Sequence, residues 1–558
     1  MKNSLAKKLL RFPAVATLCV VLLSACGGSP VAPDRLAFNT AVVTFNNITT
    51  DATTLTAAET AFAKFITDFP TSNLIDDAYY YIARSIHERA KLAQGSLDPA
   101  TAATATALFT DARSRYSDTK TIPITSNKAD NAQLQIGKTY YDQTTLTDNY
   151  GLALTQFNNV LTNFPTSSVA DDAQYYIGRT KHEQALLAQI AVSPTPTAAT
   201  LFTAARDAYG LVISNYTTST RRDDAQYQIG RTYYDLTIPN YTQAITEFNL
   251  VFQYTAPSVG DDARYYLGRS KHEIALLPAV PPATPTYTLV DARTEYNLVL
   301  SDYCAGIALS TRCDDAQYQV GKTYYDVAIP VATDYSTALG HFQAVLSAYG
   351  TTASASDNAQ YYIGRTIHQG ALLAVPPTPT ATYTLANART EYLKVNATTY
   401  PGSVRLDDAL YQVGRTYYDV AIPVAADYSN ALGNFQAVIS TYGTTASAAD
   451  DAQFYIGRTI HQGTVLGFAP PPSVTYTYPI ARDEYLKVST IYPGSIRLDD
   501  AAFYSALTFH DANDCLGEKG AMTTFINNFS ATVSPTFNPL AQQHLDGIAK
   551  GTRGHSNC

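Results

Sequence analysis

Histidine is the side chain best suited to proton transfer and metal binding near neutral pH, and in this chain it is periodic. Six of the nine His, namely His87, His182, His272, His368, His461 and His510, each stand eleven residues after an Asp that opens an Asp-Asp-Ala or Asp-Asn-Ala triplet. A metal site needs converging ligands, and each such segment offers one His. The dipeptides His87-Glu88, His182-Glu183 and His272-Glu273 lack the second His of a His-Glu-x-x-His zinc hydrolase, so no metal site is expected. Gly137-Lys138-Thr139 and Gly321-Lys322-Thr323 imitate the end of a P-loop. Ala132 and Ala316, however, stand where the leading Gly would let the backbone cradle a phosphate. Neither a Cys-x-x-Cys-His haem attachment nor a Gly-x-Ser-x-Gly elbow occurs. An active site should break a repeat at one place, and the pattern is monotonous up to residue 511. The expectation is a non-enzyme with no catalytic residue and no cofactor.

The elements that place these residues come from one repeat. The triplets begin at Asp76, Asp130, Asp171, Asp223, Asp261, Asp314, Asp357, Asp407, Asp450 and Asp499, with spacings that alternate between 49–54 and 38–43 residues. Long and short units therefore alternate in a tandem array. Each unit reads as two helices. In the unit at Asp223 the opening Asp is a suitable N-cap, and Ala225, Ile229 and Tyr233 form a stripe at helical spacing. The second helix carries Ala244, Phe248 and Val251, a pattern that returns as Ala153/Phe157/Val160, Ala338/Phe342/Val345 and Ala431/Phe435/Val438. Gly230 costs about 1 kcal/mol inside a helix. Its recurrence at one offset predicts a helix crossing too close for a side chain. Long units insert Pro/Thr-rich loops such as Pro281-Pro282-Ala283-Thr284-Pro285 and Pro376-Pro377-Thr378-Pro379, which favour extended conformations.

Composition narrows the function classes. The chain has 558 residues, 38 Lys+Arg, 47 Asp+Glu and a net charge of −9, so nucleic acid is not expected as a partner. With 46% hydrophobic residues and 42 Tyr, a disordered chain is excluded. The first residues form an address. Lys2, Lys7, Lys8 and Arg11 precede an apolar run from Ala14 to Leu23, too short to span a bilayer. The run ends in Leu23-Ser24-Ala25-Cys26, which resembles the lipobox of bacterial lipoproteins. That resemblance implies cleavage of residues 1–25 and lipidation of Cys26, with residues 26–34 as a linker. Gly27 after the Cys then implies the outer membrane, its periplasmic face, with the lipid as the only membrane contact.

The repeat itself, with apolar-Gly-x-x-Tyr followed by Ala-x-x-x-Phe-x-x-Val and aromatic-Pro ends such as Phe164-Pro165 and Tyr492-Pro493, resembles the tetratricopeptide repeat. The Asp-Asp-Ala openings resemble the BamD/CpoB type of envelope lipoprotein. This implies an all-α, right-handed superhelical solenoid over residues 35–530 with a cap or tail at 531–558. It also implies a groove lined by positions one, four, eight, eleven and twelve of each unit. The candidates are Tyr175, Arg179, His182, Tyr227, Arg231, Tyr234, Tyr265, Arg269, His272, Arg365, His368, Arg415, Arg458 and His461. Tyr and Arg flanked by acids suit peptide recognition; a ladder of Arg–Asp contacts that stiffens the array is the competing reading. The function implied is a protein-binding scaffold in cell-envelope assembly, with envelope proteins or peptide segments as partners. The alternative is a cell-wall glycan-binding protein or a glycan-processing enzyme with a superhelical α-domain. In an oxidising envelope, Cys304 should pair with Cys313 and Cys515 with Cys558.

Overall fold

The computed structural model describes residues 32–46, 51–96, 98–118, 120–143, 149–191, 194–278, 286–305, 310–375, 382–471, 475–530 and 534–550. Among them the chain forms an α solenoid. Its helices in order are α1 (Pro33–Asn46), α2 (Ala52–Asp68), α3 (Ile75–Gln94), α4 (Pro99–Ala103), α5 (Ala105–Tyr116), α6 (Ala129–Asp142), α7 (Asn149–Asn163) and α8 (Ala170–Ile190). Then come α9 (Ala198–Asn215), α10 (Arg222–Tyr234), α11 (Tyr241–Val251), α12 (Gly260–Leu276), α13 (Leu289–Tyr303), α14 (Cys313–Tyr325), α15 (Ala332–Tyr349) and α16 (Ser356–Leu372). The last are α17 (Leu385–Leu393), α18 (Leu406–Tyr418), α19 (Ala425–Tyr442), α20 (Ala449–Val465), α21 (Tyr478–Ile491), α22 (Leu498–Asp511), α23 (Cys515–Asn528) and α24 (Phe537–Lys550). From α3 onward the first helix of each unit carries the Asp triplet. The helices gather into two compact units, Met1–Thr288 and Leu289–Cys558. No described helix is long and apolar enough to cross a membrane.

The predicted core pattern is the observed one. Ala153, Phe157, Val160, Ala244, Phe248, Val251, Ala338, Phe342, Val345, Ala431, Phe435 and Val438 are fully buried. In the Asp223 unit Ala225 is fully buried, whereas Ile229 and Tyr233 are half-buried. The glycine prediction also holds. A Cβ on Gly230 would stand 2.6 Å from the Phe248 ring, and one on Gly414 would stand 2.6 Å from the Phe435 ring. In long units Tyr takes the place of Phe, as in Gly178 against Tyr209 at 2.6 Å. These hairpins are therefore closed by an aromatic ring lying flush on a bare helix backbone, whereas the units at Asp76 and Asp499 carry Ala83 and Ala506 at that offset.

The opening Asp is not the N-cap. In α8 the cap position is Val169, without a side-chain cap bond, and Asp171 lies within the first turn. The same holds for α10, whose cap position is Arg221. The Asp carboxylates reach instead to the turn of the following unit. Cys304 and Cys313 are joined, with Cα atoms 5.7 Å apart. Cys515 is disulfide-bonded; Cys558 and Cys26 lie outside the described residues, as do most of the Pro/Thr-rich loops.

The aromatic-on-glycine contact gives a prediction with opposite signs at two helical glycines. Gly414→Ala should lower unfolding stability by about 1–2 kcal/mol, because overpacking against Phe435 outweighs the gain in helix propensity. Gly433→Ala, within α19 and with no atom within 4 Å of its added Cβ, should raise stability by about 0.5–1 kcal/mol. Urea unfolding of both variants checks this; shifts of the same sign would contradict the crossing.

Candidate interaction surface on the repeat

The first helices carry a polar network whose parts recur by offset. The opening Asp of one unit accepts a hydrogen bond from a Ser hydroxyl in the turn before the next unit. Ser167 Oγ donates to Asp130, Ser219 to Asp171, Ser354 to Asp314 at 2.7 Å, Ser403 to Asp357 at 2.7 Å, Ser447 to Asp407 at 2.7 Å and Ser495 to Asp450 at 2.6 Å. Several of these Ser oxygens also accept the backbone N–H two residues on, as Ser403 does from Arg405 at 3.0 Å. One hydroxyl thus fixes its own turn and ties it to the preceding unit.

Basic residues two positions before the short units fasten the second acid. Arg221 Nε donates to Asp172 and Arg497 Nε to Asp451, while Arg497 Nη1 bonds Asp500 at 2.8 Å. Arg405 bridges Asn358 at 2.8 Å and Asp408 at 3.0 Å. Sequence reasoning weighed an Arg–Asp ladder only at the eighth-position arginines and missed these Ser–Asp and loop-Arg contacts. Their signal is a Ser three or four residues before the triplet, as in Ser403-Val404-Arg405-Leu406-Asp407.

The periodic histidines face the twelfth position of the next short unit. His87 Nε2 lies 3.1 Å from Asp142, His182 Nε2 lies 3.2 Å from Asp235 and His368 Nε2 lies 3.3 Å from Asp419. These three ring nitrogens have no well-directed hydrogen bond, so the contacts are electrostatic. His461 Nε2 and Asp511, at 2.8 Å, form a proper bond. Burial pushes the His182 pKa down more than the Asp235 carboxylate pulls it up. Asp235 is pushed up by burial, yet Arg231 and His182 bring it net below the usual carboxylate range.

The arginines at the eighth position are held by neighbouring residues. Arg415 bonds both Asp419 oxygens at 3.1 Å and stacks 4.3 Å above the Tyr455 ring. Arg231 repeats this on Asp235 and on Tyr266, 4.1 Å away. Arg365 donates to Tyr325 and Tyr361, and Arg458 to Tyr418 at 3.2 Å while lying 3.7 Å over Tyr504. Arg179 and Arg269 pair with Glu183 at 3.7 Å and Glu273 at 3.4 Å.

The open groove expected of these positions is not present at the rings. Tyr175, Tyr227, Tyr265, His182, His272, His368 and His461 are all buried, with at most 5% of their surface exposed. Tyr234 and the six Arg are half-buried. The physical reason is the close stacking of units: Tyr227, for example, packs against Phe248 of its own hairpin and Tyr266 of the next. Rings packed on protein offer no face for a sugar to stack on. The geometry is that of the ladder.

Exposure lies elsewhere, on the turn joining the two helices of short units. Ile238, Ile329 and Ile422 are 86%, 85% and 87% exposed. Each stands fifteen residues after its opening Asp and immediately before a Pro. At the ends of the long first helices Leu277, Leu373 and Leu466 are exposed as well.

No family model and no curated protein matches the chain. Among solved structures the chain is similar to a human IFIT1 dimer with m7Gppp-AAAA, at 8% identity and a TM-score of 0.39 over 89% of this chain and 95% of that one. An IFIT1 dimer with PPP-AAAA gives 10% identity and a TM-score of 0.36 over 89% and 95% of the two chains. A monomeric IFIT1 mutant with Gppp-AAAA gives 10% and 0.36 over 93% and 95%. Likeness at this level carries nothing about ligands or partners, and none of these structures singles out the BamD/CpoB type.

The His182 environment predicts a pH dependence. Its folded pKa lies below the ordinary histidine value of 6.5, so just below that pH the unfolded chain binds the extra proton and stability falls as pH falls. Asp235, with a depressed pKa, adds loss in the same direction at lower pH. His182→Gln should flatten the slope of unfolding free energy below pH 6.5 by up to about 1.4 kcal/mol per pH unit. An unchanged or steeper slope in chemical denaturation would contradict the assignment.

Proposed function

We propose that the chain is a protein-binding scaffold of the tetratricopeptide type, anchored to the outer membrane through lipid on Cys26 and acting in cell-envelope assembly. The observation that carries the binding role is the repeated exposed Ile-Pro turn at Ile238, Ile329 and Ile422. Leaving an Ile side chain in water forgoes roughly 1.5–3 kcal/mol of burial. Within the unit Leu289–Cys558, Ile329 and Ile422 take the same exposed place in two successive short repeats and make a periodic apolar edge; Ile238 repeats the feature in the other unit. The adjoining Pro presets the turn, so little ordering cost falls on the bound state.

Polypeptide suits this edge better than lipid. Asp235, Asp326 and Asp419, three residues before the Ile, are already paired with Arg231, Lys322 and Arg415, but Asp334 and Asp427 stand close after Ile329 and Ile422. Acids beside the apolar tip oppose approach to an anionic headgroup surface and favour peptide segments with basic flanks. Lipobox resemblance and the Asp-Asp-Ala openings support placing that partner in the envelope.

Photo-crosslinking in the native host tests both halves. A photoreactive residue at position 329 or 422 should trap a discrete polypeptide, and one at the exposed Thr441 should not. Ile329→Asp should keep helicity and melting temperature while sharply weakening capture of that same polypeptide by the probe at 422. Crosslinks to lipid alone, or equal trapping at 441, would overturn the binding reading. In the same cells Cys26→Ser should release the chain from the membrane fraction or leave its signal uncleaved; unchanged fractionation with a cleaved signal would overturn the anchor.

A further inference from the structure

The C-terminal cap breaks the repeat at one histidine. In the four earlier short units the eleventh position is Tyr141, Tyr234, Tyr325 and Tyr418; in the last it is His510. The array's own need is met by the next residue, Asp511, which takes the bond from His461. His510 thus departs from the repeat, and it sits where the non-repeating α23 and α24 fold back onto α22.

Two further ligand-type residues converge on it. Glu518, in the first turn of α23, brings its carboxylate 3.1 Å from His510 Nδ1 and 2.6 Å from His544 Nδ1 of α24. The three ligand atoms all lie within 4.8 Å of one another. Tetrahedral zinc with N and O ligands at about 2.0–2.2 Å holds its ligand atoms roughly 3.3 Å apart, so changes in separation of no more than about 1.5 Å, within the reach of side-chain rotation, fit the cluster to an ion. Glu518 is 1% exposed, and its ion-pair contacts are with these two His. A buried carboxylate is costly unless strongly compensated, and a divalent cation compensates it better than two imidazoles. The same three helices pack an apolar core of Phe503, Met522, Phe525 and Ala541, and the Phe503 ring meets that of His544 edge-on at 6.4 Å, an apolar neighbour that strengthens electrostatic binding. The side chains of His510 and His544 keep 26% and 12% of their surface, which leaves a path for a water as fourth ligand.

We propose that His510, Glu518 and His544 form a zinc site that clasps α22, α23 and α24 into the C-terminal cap, with an open coordination position. Two imidazoles and one carboxylate suit zinc and neighbouring transition metals; magnesium and calcium demand oxygen sets. Three helices joined by one ion would stiffen the non-repeating segment packed on the last Asp-Asp-Ala helix.

The test uses the untagged mature chain, stripped with a chelator and dialysed against micromolar zinc. Wild type should hold about one zinc per chain and gain melting temperature, and should take up neither magnesium nor calcium. His510→Tyr restores the residue of the other short units, so it should fold normally, and Glu518→Gln keeps the shape of the side chain. Both should lose the metal and the thermal gain, while His368→Gln keeps both. Cobalt in place of zinc should give the visible spectrum of a tetrahedral N/O site in wild type and His368→Gln, and in neither cluster variant. Wild type with less than about a tenth of a zinc per chain, or equal zinc in wild type and His510→Tyr, would overturn the proposal.

Discussion

The hydrogen bond from a turn Ser of one unit to the opening Asp of the unit before it is the interaction on which the array depends. A helix hairpin of this size buries too little alone, so each unit's stability lies in its neighbours. In Asp407 one carboxylate oxygen takes both the Ser447 hydroxyl, at 2.7 Å, and the Ala448 N–H, at 3.1 Å. Asp314 repeats this with Ser354 at 2.7 Å and Ala355 at 3.0 Å. The contact sets where the next first helix begins. Every other inter-unit contact then falls into register: His on Asp, Arg over Tyr, the loop Arg between two acids.

That register explains why residues that look reactive are not arranged to react. Charged groups half-buried between helices need partners, and the array supplies them from within. Arg415 has Asp419 and a Tyr455 face; His461 has Asp511. Binding a ligand at these positions would first require breaking satisfied bonds. The loop edge carries no such cost, because Ile329 and Ile422 face water already. An edge that gains by being covered and a stripe already covered are a physical division of labour.

Much of this was legible from the sequence. Helix pairs, their alternation, the buried Ala/Phe/Val stripe and the Gly crossing follow from periodicity, since a 3.6-residue period and a missing side chain have few structural meanings. The Cys304–Cys313 link followed from proximity in the chain. The opening Asp was misread as a cap because local preference says nothing about a Ser some forty residues on. Groove exposure was misjudged for the same reason: an offset places Tyr227 on a helix, but Tyr266 of the next unit decides whether it meets water. The convergence of His510, Glu518 and His544 was invisible, because three separate helices contribute to it.

The claim that units are joined through the Asp–Ser bond is tested most directly by a double-mutant cycle on Asp407→Asn and Ser447→Ala, read by urea unfolding. A hydrogen bond to a charged acceptor contributes about 1.5–3 kcal/mol, so a coupling energy of at least about 1 kcal/mol is predicted, with each single change about as damaging as the pair. Additive effects agreeing within about 0.5 kcal/mol would show independent sites and would contradict the bond as the joint between units.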